Sequence, residues 1–312
     1  MNMLNNARSL KKTQELGFLW LELTNRCNLE CIHCYADSSP RAVDENPLSL
    51  EEYTKIIAEA RSHGCWGIQF IGGEPTLNRY LPTLIQQAHK LGYDVIEVFT
   101  NLVSLPAKMI DVFAKYDVKV ATSIYSNSAA THDAVTGQTG SWEKTVTNLK
   151  KLLDRDLTMR ASVIGTSVNK NEFDATKTWL NEIGLKDVGF DEARDFGRGQ
   201  KKQSCELGDL CGQCSKDTLC IDPNGKVSPC IMSKAWPVGD IRESGIGEML
   251  VSDQLREVRG DIFDHTLKHQ AETMGGCNPS SKNPCGPDSG DNCNPCSPNG
   301  HCGPNDCQPK RS

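Results

Sequence analysis

Between residues 18 and 191, short apolar runs alternate with longer segments whose apolar positions recur at helical spacing. Phe18 to Leu23 (FLWLEL) reads as a strand. Ser49-Leu50-Glu51-Glu52 opens a helix reaching about His63 and closed by Gly64. A Ser at the cap and a Glu three residues on satisfy each other's backbone donors. The same reading predicts strands over 67–71, 94–100, 118–124, 158–164 and 187–191. Helices are expected over 80–91, 106–115, 141–154 and 171–183, with a long polar loop over 126–140. Strands and helices in this cadence imply parallel pairing with right-handed crossovers. The predicted fold class is α/β, a partial (β/α)6 TIM barrel, open because the strand count stops short of eight.

The pattern breaks near residue 200. Eleven of the fifteen cysteines and ten of the fifteen prolines follow Gln200, and only one further helix, roughly 246–259, is predicted. From Cys277 onward the chain is too poor in apolar residues to fold on a hydrophobic core, a composition ordinarily read as disordered. Six cysteines within that tail argue for bound metal, which supplies folding energy that burial cannot. The expected organisation is an N-terminal extension (1–17), a core barrel (18–200) and a cysteine-rich, largely irregular C-terminal domain (201–312).

Charge and composition narrow the partners. A net charge of −6, with only short basic groups such as Lys201-Lys202, gives no reason to expect nucleic acid. The first seventeen residues carry no sustained apolar segment of the kind a secretion signal needs, and no run of eighteen apolar residues exists to span a membrane. An odd number of cysteines without an export signal fits a reducing cytoplasm in which thiols are committed to metal.

The densest chemistry is Cys27-Asn28-Leu29-Glu30-Cys31-Ile32-His33-Cys34, directly after the first strand. Three thiolates in one compact loop can converge on one metal centre, and a 4Fe–4S cluster takes four such ligands. Either a distant cysteine completes the set or one iron stays open for a small molecule. On spacing alone, a zinc site with His33 as fourth ligand and a disulfide remain alternatives. Gly72-Gly73-Glu74-Pro75 follows the second strand, Asn101 the third, and Ser123 ends the fourth, so every candidate sits at a C-terminal strand end, where α/β active sites form. Cys65, at the start of the second strand, reads as a core residue.

The cysteine triplet together with Gly72-Gly73-Glu74-Pro75 resembles the radical S-adenosylmethionine (SAM) superfamily. Phe99-Thr100-Asn101, Thr122 to Ser126 and Gly197-Arg198-Gly199 extend the likeness. Cys220 to Cys230 resembles the signature hairpin of the SPASM extension, which carries auxiliary iron–sulfur clusters. The resemblance implies that Cys27, Cys31 and Cys34 hold a 4Fe–4S cluster whose open iron chelates SAM, yielding a 5′-deoxyadenosyl radical. It also implies contacts of Gly72, Gly73, Glu74 and Pro75 with the methionine end, the glycines letting the backbone come close because they lack Cβ. Asn101 and Ser123 are candidate ribose contacts. Tyr35 or His33 would lie near the adenine or the cluster, or would simply pack. Arg160 would pair with the cofactor carboxylate, or is an ordinary surface arginine. Relatives often carry Ser-Leu-Asp-Gly where this chain has Ser123-Ile124-Tyr125-Ser126, so no role for that Asp carries over.

For one or two auxiliary 4Fe–4S clusters the candidate ligands are Cys205, Cys211, Cys214, Cys220, Cys230, Cys277, Cys285, Cys293, Cys296, Cys302 and Cys307. Ten residues separate Cys214 from Gly225 and four separate Gly225 from Cys230, as the family's spacing requires. The run from Cys293 to Cys307 departs from it by one residue, and zinc in the tail stays an alternative. A cysteine left unligated would be a candidate hydrogen donor. The resemblance points to a ribosomally made precursor peptide as substrate, with a crosslink, oxidation or epimerisation as outcome. The alternative is a small-molecule epimerase or dehydrogenase acting on a sugar, aminoglycoside or nucleoside. A flavodoxin or ferredoxin reductant is implied. Only about seventeen residues precede the first strand, so a peptide enzyme would need a separate leader-recognition protein or would bind its precursor through the barrel mouth.

Overall fold

The computed structural model describes residues 15–273, with side chains through 266 except that of Gln213, so Cys277, Cys285, Cys293, Cys296, Cys302 and Cys307 lie outside the described residues. The predicted strands form as β1 (Phe18–Glu22), β2 (Gly67–Ile71), β3 (Val95–Phe99), β4 (Lys119–Ser123), β5 (Met159–Gly165) and β6 (Asp187–Glu192). They lie side by side in chain order and are all parallel. Between them run α1 (Leu50–Ser62), α2 (Leu81–Lys90), α3 (Ala107–Lys115), then both α4 (Ala129–Thr136) and α5 (Ser141–Leu153), and finally α6 (Phe173–Glu182). The capping box at α1 is present in both directions, Glu52 N–H donating to Ser49 Oγ (3.2 Å) and Ser49 N–H to Glu52 Oε2 (2.7 Å).

Each strand has two faces of different chemistry. Leu19, Leu21, Ile68, Phe70, Ile96 and Val98 pack against the helices in the main core. Their neighbours in sequence point the other way, and these include Glu22, Gln69 and Glu97, all buried. Residues of β2 through β6 line one cavity of about 370 Å3. Side chains alternate across a strand, so an apolar outer face and a partly polar inner face are what a barrel with a working interior requires.

Two expectations need correction. The polar loop over 126–140 contains α4. This short helix buries His132, Val135 and Thr136 and stops at Gly137, whose φ of +72° is left-handed. Its last carbonyls are taken by the cysteine loop, with Glu30 N–H donating to Thr136 O (3.3 Å) and Ile32 N–H to Val135 O (3.0 Å). Tertiary pairing thus satisfies a helix end that local sequence leaves open. The helix predicted over 246–259 is two helices, α7 (Ile246–Leu250) and α8 (Asp253–Thr273). Ser252 divides them, its hydroxyl donating to Met249 O (2.8 Å) and accepting from Leu255 N–H (3.2 Å), so one side chain ends α7 and caps α8.

After residue 200 the chain forms a hairpin of β7 (Thr218–Ile221) and β8 (Lys226–Ser228), with β9 (Gly239–Asp240) beside β8. Asp222 shapes the turn by accepting from Asn224 N–H (2.9 Å) and Lys226 N–H (2.8 Å), and Gly225 takes a φ of +92°. β7 pairs parallel with β1, Cys220 opposite Trp20, which makes the barrel strands and the hairpin one nine-stranded sheet. Among the described residues no helix is long and apolar enough to cross a membrane.

Candidate active site

The loop after β1 is held from three sides. Arg26 bridges to Ser39, and Cys27 N–H donates to Ser39 O (3.1 Å), which closes the loop on itself. α4 takes two of its N–H groups, as described above. Arg198 then reaches in from beyond β6. Its backbone N–H donates to Cys34 O (3.0 Å), its Nε to Cys31 O (2.9 Å), its Nη1 to Asp37 (2.8 Å) and its Nη2 to Ser38 O.

Cys27, Cys31 and Cys34 all line the barrel cavity, as do Tyr35, Gly72, Gly73, Asn101, Ser123 and Arg160. With His33, the structure therefore brings ten of the candidate site residues to one place. Glu74 and Pro75 stand behind that wall, both buried. Glu74 accepts from Thr76 N–H (3.1 Å), Thr76 Oγ1 (2.7 Å), Thr100 Oγ1 (2.7 Å) and Asn101 N–H (2.9 Å), tying the turn after β2 to the end of β3. Gly72 and Gly73 are required by crowding. A Cβ on Gly72 would lie 2.5 Å from Thr24 O, and one on Gly73 would lie 2.2 Å from Arg26 O. The backbone there is packed directly against the chain entering the cysteine loop.

The donors fit an anionic sulfur cluster. Leu29 N–H points to Cys27 Sγ (3.4 Å), Ser38 N–H to Cys34 Sγ (3.4 Å) and Asn101 Nδ2 to Cys27 Sγ (3.6 Å). Hydrogen bonds of this kind favour thiolate over thiol. Burial works in the opposite direction, pushing the Cys27 thiol up to about 11 and the Cys31 thiol to about 12. A bound cationic centre resolves the conflict by displacing the protons. Among the described residues, no three His, Cys, Asp or Glu side chains gather closely enough to share a single ion, and none of the nine described cysteines is in a disulfide. His33 lines the cavity, and its buried Nδ1 has no hydrogen-bond partner.

One buried ion pair near the site was not singled out from sequence. Glu22, the one charge in FLWLEL, is fully buried and meets Lys234 Nζ at 2.6 Å, while Tyr35 OH donates to its other oxygen (3.3 Å). Burial pushes the Glu22 carboxyl up, with Lys234 working against it. Burial also works against the Lys234 ammonium, but Glu22 and then Cys220 outweigh it and leave that lysine above its ordinary range. Arg160 is neither a surface residue nor a free guanidinium. Its Nε and Nη2 grip Glu97 at 2.9 and 2.8 Å inside the barrel, and Gln69 donates to the same carboxylate. A buried acid opposite it, 63 residues away, already occupies the fork proposed for the cofactor carboxylate.

Tyr125, in the place where relatives carry the tetrapeptide with Asp, stands edge-on to His33 (5.0 Å) and tilted against His132 (5.2 Å). Tyr125 N–H donates to His132 Nδ1 (3.4 Å), and burial pulls His132 down to about 4. Its folded value lies below the unfolded 6.5, so the neutral ring's contribution is fully present above 6.5 and is lost as pH falls toward 4. The loss amounts to about 3 kcal/mol. Urea unfolding of the metal-free protein at steps across that range is expected to show this fall, and His132→Gln to reduce it, the remainder including His33, which burial and then Arg198 also pull down to about 4. An unchanged slope in the variant would remove His132 from the account.

The second group of cysteines lies on the β7–β8 side. Cys214, Cys220 and Cys230 are buried in one cluster with Phe18, Trp20 and Phe196, and Cys205 packs against it. Cys214 Sγ is 2.7 Å from Cys230 Sγ, and Cys211 hydrogen-bonds Cys214. Ile231 and Met232, next to Cys230, line the barrel cavity, so the second cysteine group borders it through these two residues. Cys65 is fully buried in the core, its thiol donating to Gly67 O (3.2 Å).

Residues 21–180 match the family described as the radical SAM superfamily. The chain belongs to the radical SAM superfamily. Residues 211–279 match SPASM, described as an iron–sulfur cluster-binding domain. This radical SAM chain is 29% identical over 299 residues to the antilisterial bacteriocin subtilosin biosynthesis protein AlbA of Bacillus subtilis (strain 168), covering 82% of this chain and 65% of that protein. It is 27% identical over 185 residues to Fe-coproporphyrin III synthase of Methanosarcina barkeri (strain Fusaro / DSM 804), covering 59% of this chain and 46% of that one. The chain thus spans less than two thirds of the length of either relative. Among solved structures, Streptococcus suis SuiB bound to precursor peptide SuiA superimposes with a TM-score of 0.66 at 15% identity, over 79% of this chain and 67% of that one. That likeness establishes the shared fold.

Proposed function

We propose that this chain is a radical SAM maturase that abstracts hydrogen from a ribosomally made precursor peptide, leading to a crosslink, an oxidation or an epimerisation. The observation that carries the reading is the cavity. Cys27, Cys31 and Cys34 form one part of its wall, and Ile231 and Met232, beside Cys230, form another. Similarity to a bacteriocin biosynthesis protein over most of the chain supports a peptide as the reacting partner. Bound in the cysteine loop, a 4Fe–4S cluster with SAM would supply a 5′-deoxyadenosyl radical.

The chain's own residues do the rest. Cys27, Cys31 and Cys34 would ligate three irons, leaving one coordination position for SAM. Gly72 and Gly73 would bring backbone groups close to the methionine end, with Glu74 fixing their turn. Asn101 and Ser123 would address the ribose. Cys205, Cys211, Cys214, Cys220 and Cys230 are the described candidates for an auxiliary cluster, which would accept an electron in a net oxidation. The apolar part of the cavity wall, Ile71, Phe99, Ile231 and Met232, would keep water from a reactive carbon centre. A precursor peptide and a flavodoxin or ferredoxin reductant are the partners this reading requires, with the leader read either by a separate recognition protein or at the barrel mouth itself.

The test is anaerobic incubation of reconstituted protein with SAM, a reductant and the precursor peptide encoded beside it, in deuterated water. Loss of two hydrogens from the peptide would mark a crosslink or oxidation, and deuterium gain at an α-carbon would mark epimerisation. Deoxyadenosine formation accelerated only by a porphyrin, sugar or nucleoside would replace the peptide with a small molecule.

A further inference from the structure

The segment from Asp195 to Gly199 touches both cysteine groups. At one end, Asp195 O accepts from the Cys205 thiol (3.6 Å). Next, Phe196 is buried in the cluster that holds Cys214, Cys220 and Cys230. Two residues on, Arg198 makes the four hydrogen bonds to the first cysteine loop described above. Both glycines around it are pressed onto that loop. Gly197 has a φ of +55°, and a Cβ on it would lie 2.3 Å from Cys34 O, while one on Gly199 would lie 3.2 Å from His33 O. The strap has no slack: Phe196 and Arg198 are fixed in opposite sites with one glycine between them.

We propose that this strap couples the two cysteine sites, with Arg198 as the positioning residue. While Phe196 is seated among the second group of cysteines, Arg198 holds the Cys31, Cys34 and Ser38 carbonyls, and the first three thiols keep their aim. When Phe196 is unseated, Arg198 withdraws and the first loop loosens. A lysine cannot substitute, because the guanidinium donates in three fixed directions at once, to Cys31 O, Asp37 and Ser38 O. Coupling of this kind is a free energy shared by two sites, so perturbing either end must register at the other.

The inference rests on a cluster binding at Cys27, Cys31 and Cys34, and not on the identity of the substrate. Its test is a double-mutant cycle on reconstituted full-length protein, using Phe196→Ala, Arg198→Gln and the pair. The quantity read is the rate at which a chelator abolishes the electron paramagnetic resonance signal that shifts when SAM is added. Only a cluster with an open iron gives that response, so auxiliary clusters do not contribute. Each single variant is expected to lose the signal about tenfold faster than the parent, and the pair no faster than the faster single, because both cut one connection. Arg198→Lys should behave like Arg198→Gln. Far-ultraviolet circular dichroism checks the fold of each variant, and Phe196→Leu takes the place of Phe196→Ala if that variant fails to fold. Multiplying rates, a parent-like Arg198→Gln, or full rescue by Arg198→Lys would each overturn the coupling. A parent protein without any SAM-responsive signal would instead remove the cluster reading beneath it.

Discussion

Replacing Cys27, Cys31 and Cys34 together with alanine is expected to remove about four irons per chain and to abolish SAM cleavage, while the auxiliary iron stays. The three thiols are the only sulfur ligands the first loop offers, and no other described cysteine lines the cavity. The fold is expected to survive, because the loop is built from backbone hydrogen bonds to Ser39, α4 and Arg198, none of which uses a thiol. What is lost locally is packing of Cys27 against Leu29 and Val103 and the sulfur acceptors of Leu29 and Ser38 N–H, a cost of about 1–3 kcal/mol. Iron and sulfide counts after anaerobic reconstitution, with deoxyadenosine measured by chromatography, check both halves of the expectation. If the parent and the variant held the same iron, the loop would not be a cluster site. If the parent held about four irons and the variant none, the second cysteine group would hold no cluster.

The parts of this outcome legible in the sequence are those whose cause is local. FLWLEL and its five successors read as strands because β-branched and apolar residues gather in short runs between helices with visible caps, and Ser49 and Glu52 pair as their spacing requires. The Cys214, Gly225 and Cys230 spacing announces a hairpin because Asp222 and Gly225 make a turn from four consecutive residues. What stayed hidden depends on partners far along the chain. Glu22 could be noticed as a charge in an apolar strand, but its partner Lys234 is 212 positions away and on the other side of the β1–β7 pairing. Arg160 looked available because nothing near it in sequence shows that Glu97 is its neighbour across the barrel. α4 was read as loop because its last carbonyls are taken by the cysteine loop, a partner about a hundred positions upstream. Arg198 sits between two glycines that signal a tight approach without saying to what.

Those distant partners also set the second large effect, at Glu74. Glu74→Ala is expected to lower the melting temperature by about 10 °C and to weaken SAM binding more than iron binding. Four donors converge on this one buried carboxylate, from Thr76, Thr100 and Asn101. Alanine leaves the Thr76 and Asn101 backbone N–H groups without their acceptor in a site closed to water. Each such group costs about 1–3 kcal/mol, and in a chain of this size each kilocalorie lowers the melting temperature by about 2–4 °C. The cofactor effect has a separate route. Through Asn101 N–H, Glu74 holds the end of β3, and the Asn101 side chain reaches Asn28 (2.7 Å) and Cys27 Sγ (3.6 Å). Releasing that end moves the residues proposed to face SAM while leaving all three thiols in the chain. Glu74→Gln should fall between, because its carbonyl still accepts while its NH2 faces groups that donate, and only the two threonine hydroxyls can turn to accept from it. Calorimetry of the metal-free proteins, paired with SAM titration of the reconstituted ones, separates the two effects. A Glu74→Ala protein melting within about a degree of the parent would mean that water reaches these donors, and that the carboxylate is not the tie between β2 and β3.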